Sequence, residues 1–149
     1  MPTKYQGSKR EIETLNAFIK LTRASESINN RLSRCLACVN LTVSQFGILE
    51  ALLHIGPQSQ KELGSRILKS GGNITLVIDN LEKQGYVKKE KDPRDGRAVI
   101  ISLSEKGEKF ITEYFPKHLQ HIVNEFEVLS SEELMELGRL AKKVGNPEK

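Results

Sequence analysis

Two stretches of the sequence carry side chains suited to gripping a polyanion. The first, "KKEKDPRDGRAV", sets Lys88, Lys89, Lys91, Arg94 and Arg97 against Glu90, Asp92 and Asp95. Pro93 and Gly96 among these charges, directly before an aliphatic run, mark a turn leading into a strand. A turn with no partner would be served as well by Asn-Gly or Gly-Ser. Arg94 stands at the tip, where a guanidinium on a thin projection suits the narrow minor groove of duplex DNA; there the negative potential is highest over A·T-rich steps. Asp95 and Arg97 are two apart, on one side of the loop, and are expected to brace each other.

The second stretch is "SGGNITLVIDNLEKQGY". Ile74, Val77, Ile78 and Leu81 recur at i, i+3, i+4 and i+7, one apolar helical stripe. With that stripe facing inward, Gly71, Gly72, Asn73, Thr75, Leu76, Asp79, Asn80 and Lys83 project outward. Ser70, Gly71 and Gly72 leave room for close approach, and the helix N-terminus suits phosphate. Asn pairs bidentately with adenine, and Thr offers a hydroxyl and a methyl group to base edges in the major groove. Gln60, Lys61 and Lys69, on the preceding helix and its junction, complete the candidate DNA-binding set. The competing reading is a solvated helix face with glycines that only shape a turn.

Other chemistry finds less support. Cys35 and Cys38 form a CxxC at the end of a helix, with Arg31 and Arg34 a turn away or adjacent, so thiol-based redox sensing is one reading and two small, partly buried side chains the other. His118 and His121, three apart, lack a third metal ligand and read as a solvated or interface pair. His54, beside Gly56-Pro57, is expected to meet free carbonyls at a helix end. No phosphate-cradling loop or nucleophile elbow is present, and the residues call for no enzyme activity, no cofactor and no metal.

The elements that must position these side chains follow from periodicity and punctuation. Residues 9–39 read as one long helix. Thr42-Val43-Ser44-Gln45 is a capping box opening a helix that Gly56-Pro57 stops; Ser59-Gln60-Lys61-Glu62 is a second box opening a short helix. Gly85 closes the next helix, and "YVKKEKD" and "RAVIISL" form a β-hairpin around the Pro-Arg-Asp-Gly turn. The order helix, helix, helix, hairpin is a winged helix-turn-helix. From Ser104 a helix carries Ile111, Phe115, Leu119, Ile122, Val123 and Phe126, with Pro116 expected to kink or interrupt it. Ser130-Ser131-Glu132-Glu133 caps a last helix with Leu134, Leu137, Leu140, Ala141 and Val144 on one face. The fold class is therefore mainly α with a small β-hairpin wing. One domain spans 1–149, with a DNA-binding lobe at 41–103 flanked by dimerisation helices at 8–39 and 104–146.

The bulk properties agree with that layout. Within 149 residues and a net charge of +4, residues 1–56 and 57–103 each carry an excess of +3 and residues 104–149 one of −2. A basic middle favours a polyanion there. No apolar run is long enough to span a bilayer and the first residues lack a signal core, so a soluble cytoplasmic protein without membrane contact is expected.

The run from Thr42 to Gly107 resembles the MarR family of bacterial winged-helix regulators. "LTVSQFGILEALL", "SQKELGSRI" and "NITLVIDNLEKQGYVKKEKDPRDGRAVIISLSEKG" carry the resemblance, above all the Asp-Pro-Arg-Asp-Gly-Arg wing. It implies a homodimer with interlocked first and last helices, each protomer meeting half of a pseudo-palindromic DNA operator. It also implies a transcriptional repressor released by a small aromatic or electrophilic effector or by thiol oxidation. Gly96 stands where the family often has another Arg, leaving Arg94 and Arg97 as the wing contacts. The same scaffold used as a protein-interaction module, without specific DNA binding, is the rival reading; such a module should show an apolar patch where this chain has Arg, Lys, Asn and Thr.

Overall fold

The computed structural model describes residues 4–67 and 74–146. Its elements run α1 (Lys9–Ala37), α2 (Val43–Ile55), β1 (Gln58–Ser59), α3 (Gln60–Ile67), α4 (Ile74–Lys83), β2 (Val87–Lys91), β3 (Val99–Leu103), α5 (Glu105–Glu125) and α6 (Ser131–Gly145). They fall into two compact units, Met1–Phe115 and Pro116–Lys149. The winged helix-turn-helix lobe lies wholly in the first.

Four helices open with reciprocal N-terminal caps. The expected boxes at Thr42/Gln45, Ser59/Glu62 and Ser130/Glu133 all form, and Ser8/Glu11 adds one at α1. Each box satisfies two otherwise orphaned amides, a contribution of about 1 kcal/mol per helix. α1 ends two residues before the expected Val39. Asn40 adopts a left-handed φ of 58°, and the Leu41 amide returns to the Leu36 carbonyl at 3.2 Å. Gly56, with φ 94°, stops α2.

The core of the first unit is one cluster. Leu36 from α1, Phe46, Ile48, Leu49 and Leu52 from α2, Leu63 from α3, Ile78 and Leu81 from α4, Val87 and Ile101 from the sheet, and Ile111 from α5 are buried together. Each large aliphatic side chain there contributes about 1.5–3 kcal/mol. α2 is apolar nearly all round, as suits a helix enclosed by its neighbours. A column of rings, Tyr86 on Phe110 (4.9 Å), Phe110 on Tyr114 (5.5 Å) and Tyr114 against Phe46 (6.0 Å), ties α5 to the rest.

The sheet has three antiparallel strands in the order β1-β3-β2, with β1 opposing Ile100 and Ile101. The hairpin reading covered only β2 and β3. β1 is two residues long, too short to show alternation, and Ser59 is at once a strand residue and the cap of α3. The hairpin itself pairs Val87 with Leu103 through Lys91 with Val99.

α4 and α5 are fastened end to end. Gly85 (φ 82°) accompanies amide bonds from Gly85 to Glu82 and from Tyr86 to Leu81, a Schellman close. The Ser104 amide meets the Tyr86 carbonyl, its hydroxyl donates to the Gly85 carbonyl, and the Gly107 amide donates to that hydroxyl. Lys106 donates to the Gln84 carbonyl at 2.7 Å and lies over the Tyr86 ring. Gly107 is what permits this approach, because a Cβ there would sit 2.0 Å from the Tyr86 carbonyl oxygen. Gly107→Ala is expected to destabilise by about 1–3 kcal/mol despite alanine's better helix propensity. Thermal unfolding should show a fall of about 3–10 °C; an unchanged or higher midpoint would mean the two backbones are not so close.

Pro116 does not interrupt α5, which runs from Glu105 to Glu125 through it. The loss is a single backbone hydrogen bond. In the second unit His118 is buried rather than solvated, and burial, helped by the neighbouring His121, lowers its pKa. A folded-state pKa below the unfolded 6.5 means that the unfolded chain takes up the proton first. Stability should therefore be full above about pH 6.5 and fall as pH drops below it. His118→Leu should flatten the midpoint-versus-pH curve between about pH 7 and 5; an unaltered slope would assign the dependence elsewhere.

The apolar residues of α6 are left uncovered by the described residues. Leu134, Met135, Leu137, Leu140 and Val144 are exposed. Phe18 and Leu21 of α1 are exposed as well. No helix among the described residues is long and apolar enough to cross a membrane.

Candidate nucleic-acid interface

The first turn of α4 presents Thr75 and Leu76, and Leu76 is 55% exposed although it is leucine. The buried stripe of α4 supplies the reason. Ile78 and Leu81 are buried and Ile74 and Val77 pack against them, which turns the intervening residues outward as the spacing predicts. Asn80 is half-buried just over one turn further along. Lys69, Ser70, Gly71, Gly72 and Asn73 lie outside the described residues.

α3 delivers Gln60 and Lys61 beside α4. Lys61 is exposed, and the Gln60 Nε2 donates to the Thr75 hydroxyl at 2.8 Å. Gln60, Lys61 and Arg97 border one open groove of about 750 Å³ between α3 and the wing, whose floor includes Gly64, Ile74 and Val99. Arg94 stands outside that groove at the wing tip.

The wing's shape is held by two aspartate side chains and its own backbone amides. Asp92 Oδ1 accepts the Arg94 amide at 2.9 Å, Asp95 Oδ1 accepts the Arg97 amide at 3.0 Å, and the Ala98 amide returns to the Asp95 carbonyl. The expected brace between Asp95 and Arg97 therefore exists, but it uses the arginine's main chain. Both guanidinium groups are exposed and make no hydrogen bond or ion pair among the described residues.

One pair of charges is taken out of play. Lys89 of β2 bonds Asp79 of α4 and lies 3.7 Å from Glu82, and the Asp79 bond holds its ammonium above the usual lysine range. Asp79 and Lys89 thus strap the wing to α4 instead of meeting a ligand. Charge alone could not separate them from their neighbours, since the pairing depends on where the hairpin register sets Lys89. A second tie unseen in the sequence is Gln58. It is buried, donates to the Ala51 and Gly56 carbonyls and accepts from Arg66 Nε at 2.6 Å.

Cys35 is half-buried and Cys38 exposed, and both are free thiols. The Tyr114 hydroxyl donates to the Cys35 carbonyl, and burial, with the two nearby thiols contributing, raises the phenol's pKa. Arg31 donates to the Ser27 hydroxyl. His54 meets the edge of Phe115 at 4.9 Å, an aromatic contact where a carbonyl contact was expected. Among the described residues no group of three or more His, Cys, Asp or Glu could hold a metal ion.

Residues 41–99 match the model of the MarR family. The chain is 34% identical to the uncharacterised HTH-type transcriptional regulator YkoM of Bacillus subtilis, covering 93% of this chain and 90% of that one. It is also 34% identical to the HTH-type transcriptional regulator MhqR of the same organism, over 89% of this chain and 92% of the relative. Among solved structures, Sco3205 of Streptomyces coelicolor, a MarR family regulator in complex with DNA, superposes with a TM-score of 0.81 at 20% identity, covering 97% and 94% of the two chains. BpsR of Bordetella bronchiseptica, whose DNA binding is regulated by 6-hydroxynicotinic acid, superposes with 0.79 at 23% identity, covering 88% and 99%. The two superpositions bear on the fold.

Proposed function

Because the chain belongs to the MarR family and is a helix-turn-helix transcriptional regulator, we propose that it binds a pseudo-palindromic operator as a homodimer and releases it on meeting a small aromatic or electrophilic effector. The observation that carries the DNA contact is the wing. Two exposed guanidinium groups, Arg94 and Arg97, sit on a loop whose shape is fixed without them, in the same unit as the exposed first turn of α4. Arg94 enters the minor groove, while Thr75, Leu76 and Asn80 face the major groove. Lys61 and Arg97 meet phosphates on either side of α3 and the wing.

The uncovered apolar face of α6 supports the homodimer, because large side chains left exposed along one helical stripe mark an association surface. Regulation by a phenol-like or other aromatic compound is supported by the likeness to BpsR, whose DNA binding responds to such a molecule. A redox role for Cys35 and Cys38 is a second route to the same release, supported by their access to solvent. Double Cys35→Ser/Cys38→Ser protein that still leaves DNA on oxidant treatment would end that route.

The decisive experiment selects bound sequences from a random duplex pool and titrates the selected duplex against salt. Log affinity should fall linearly with log salt, with a slope of about −3.6 or steeper, as four or more neutralised phosphates require. Absence of duplex binding at low salt would favour a winged helix serving protein contacts instead.

A further inference from the structure

We propose that Gln60 and Thr75 act together as one base reader, a composite acceptor–donor pair that selects adenine in the major groove. This rests on the DNA-binding reading given above.

The two residues come from different helices, fifteen positions apart, and their side chains are joined by the bond from Gln60 Nε2 to Thr75 Oγ1. Thr75 is exposed and Gln60 half-buried, so the pair sits at the surface beside the first turn of α4. A hydroxyl has one hydrogen and two lone pairs. With one lone pair accepting from Gln60, the Thr75 hydroxyl hydrogen meets no acceptor among the described residues and can donate outward. One of the two carboxamide N–H groups is engaged by Thr75, and Oε1 makes no hydrogen bond among the described residues, so it remains an acceptor. Oε1 and the hydroxyl hence flank the same amide nitrogen, one accepting and one donating.

Adenine offers the reciprocal pattern in the major groove, an N6 amino donor beside an N7 acceptor. Guanine presents two acceptors there and would leave Oε1 facing the O6 oxygen. A single Asn or Gln reads adenine with its own amide; here the same pattern is divided between two helices. The bond also fixes both side chains before DNA arrives, so less rotamer freedom is lost on binding.

The test uses the duplex selected by the protein, with single adenines replaced by 7-deazaadenine, which lacks N7, or by purine, which lacks the N6 amino group. At one adenine per half-site both replacements should weaken binding by about 5- to 150-fold, the range of a good bidentate contact. Thr75→Val should abolish the sensitivity to 7-deazaadenine, and Gln60→Ala the sensitivity to purine, at that same position. The two substitutions should be non-additive, the double variant losing less than the product of the single losses. Sensitivities at different base pairs for the two variants, or independent losses that multiply, would overturn the composite reader while leaving DNA binding intact. Because the base analogues are read by the unaltered protein, a folding defect in either variant cannot imitate the result. A protein that prefers no duplex over another would overturn both this inference and the reading beneath it.

Discussion

Arg94→Ala should lower operator affinity by about tenfold or more for each wing, and by roughly 100-fold for a dimer with two wings engaged, at unchanged thermal stability. The size follows from removing a charged hydrogen-bonding group from a groove of high negative potential, typically about 1.5–3 kcal/mol per contact. The stability half of the expectation is structural. The loop takes its form from Asp92 and Asp95 accepting backbone amides and from the return of the Ala98 amide to Asp95, and the guanidinium takes part in none of these. Truncation should then leave the midpoint within about 0.5 kcal/mol of the parent. Fluorescence anisotropy at matched salt measures the first quantity and calorimetry the second. Equal affinity for parent and variant would remove Arg94 from the interface.

The second large effect should come from the other end of the chain. Leu137 and Leu140, three apart on α6, are 38% and 44% exposed in the single chain. Replacing both by Glu would place four carboxylates across the proposed two-fold interface, each lacking a partner. An uncompensated charge in a closed interface costs about 3–5 kcal/mol, so dissociation should rise by at least about 100-fold. Sedimentation should find single chains at micromolar concentration, and operator binding should drop to that of one recognition helix and one wing, a module of limited surface. Retention of the dimer would move the interface off α6. Loss of the dimer with full operator affinity would mean that one protomer suffices.

Much of the lobe is legible in the chain because its signals are local. Capping boxes need only four residues, and the stripe Ile74–Val77–Ile78–Leu81 and the stop at Gly85 need only their own helix. Their consequences, a buried Ile78 and Leu81 and a positive φ at Gly85, are what the structure has. What escapes such reading is pairing at a distance. β1 exists only because β3 lies beside it, and Gln58 is buried only because α2 ends above it. Lys89 and Asp79 look like surface charges until hairpin and helix meet. Residue type likewise foretold that Asp95 would brace Arg97, but not that the contact would use the amide and leave the guanidinium exposed. Gln60 and Thr75 stand as separate candidates in the sequence, and only the meeting of α3 with α4 reveals their bond.

The junction of α4 and α5 has a mechanical meaning. Ser104, Lys106 and Gly107 bind the first turn of α5 directly to the carbonyls that follow α4. Tilting the first turns of α5 must drag α4 with them or tear several polar bonds at once. α5 is therefore a stiff crank. A push on its first turns reaches the exposed start of α4 as a rotation.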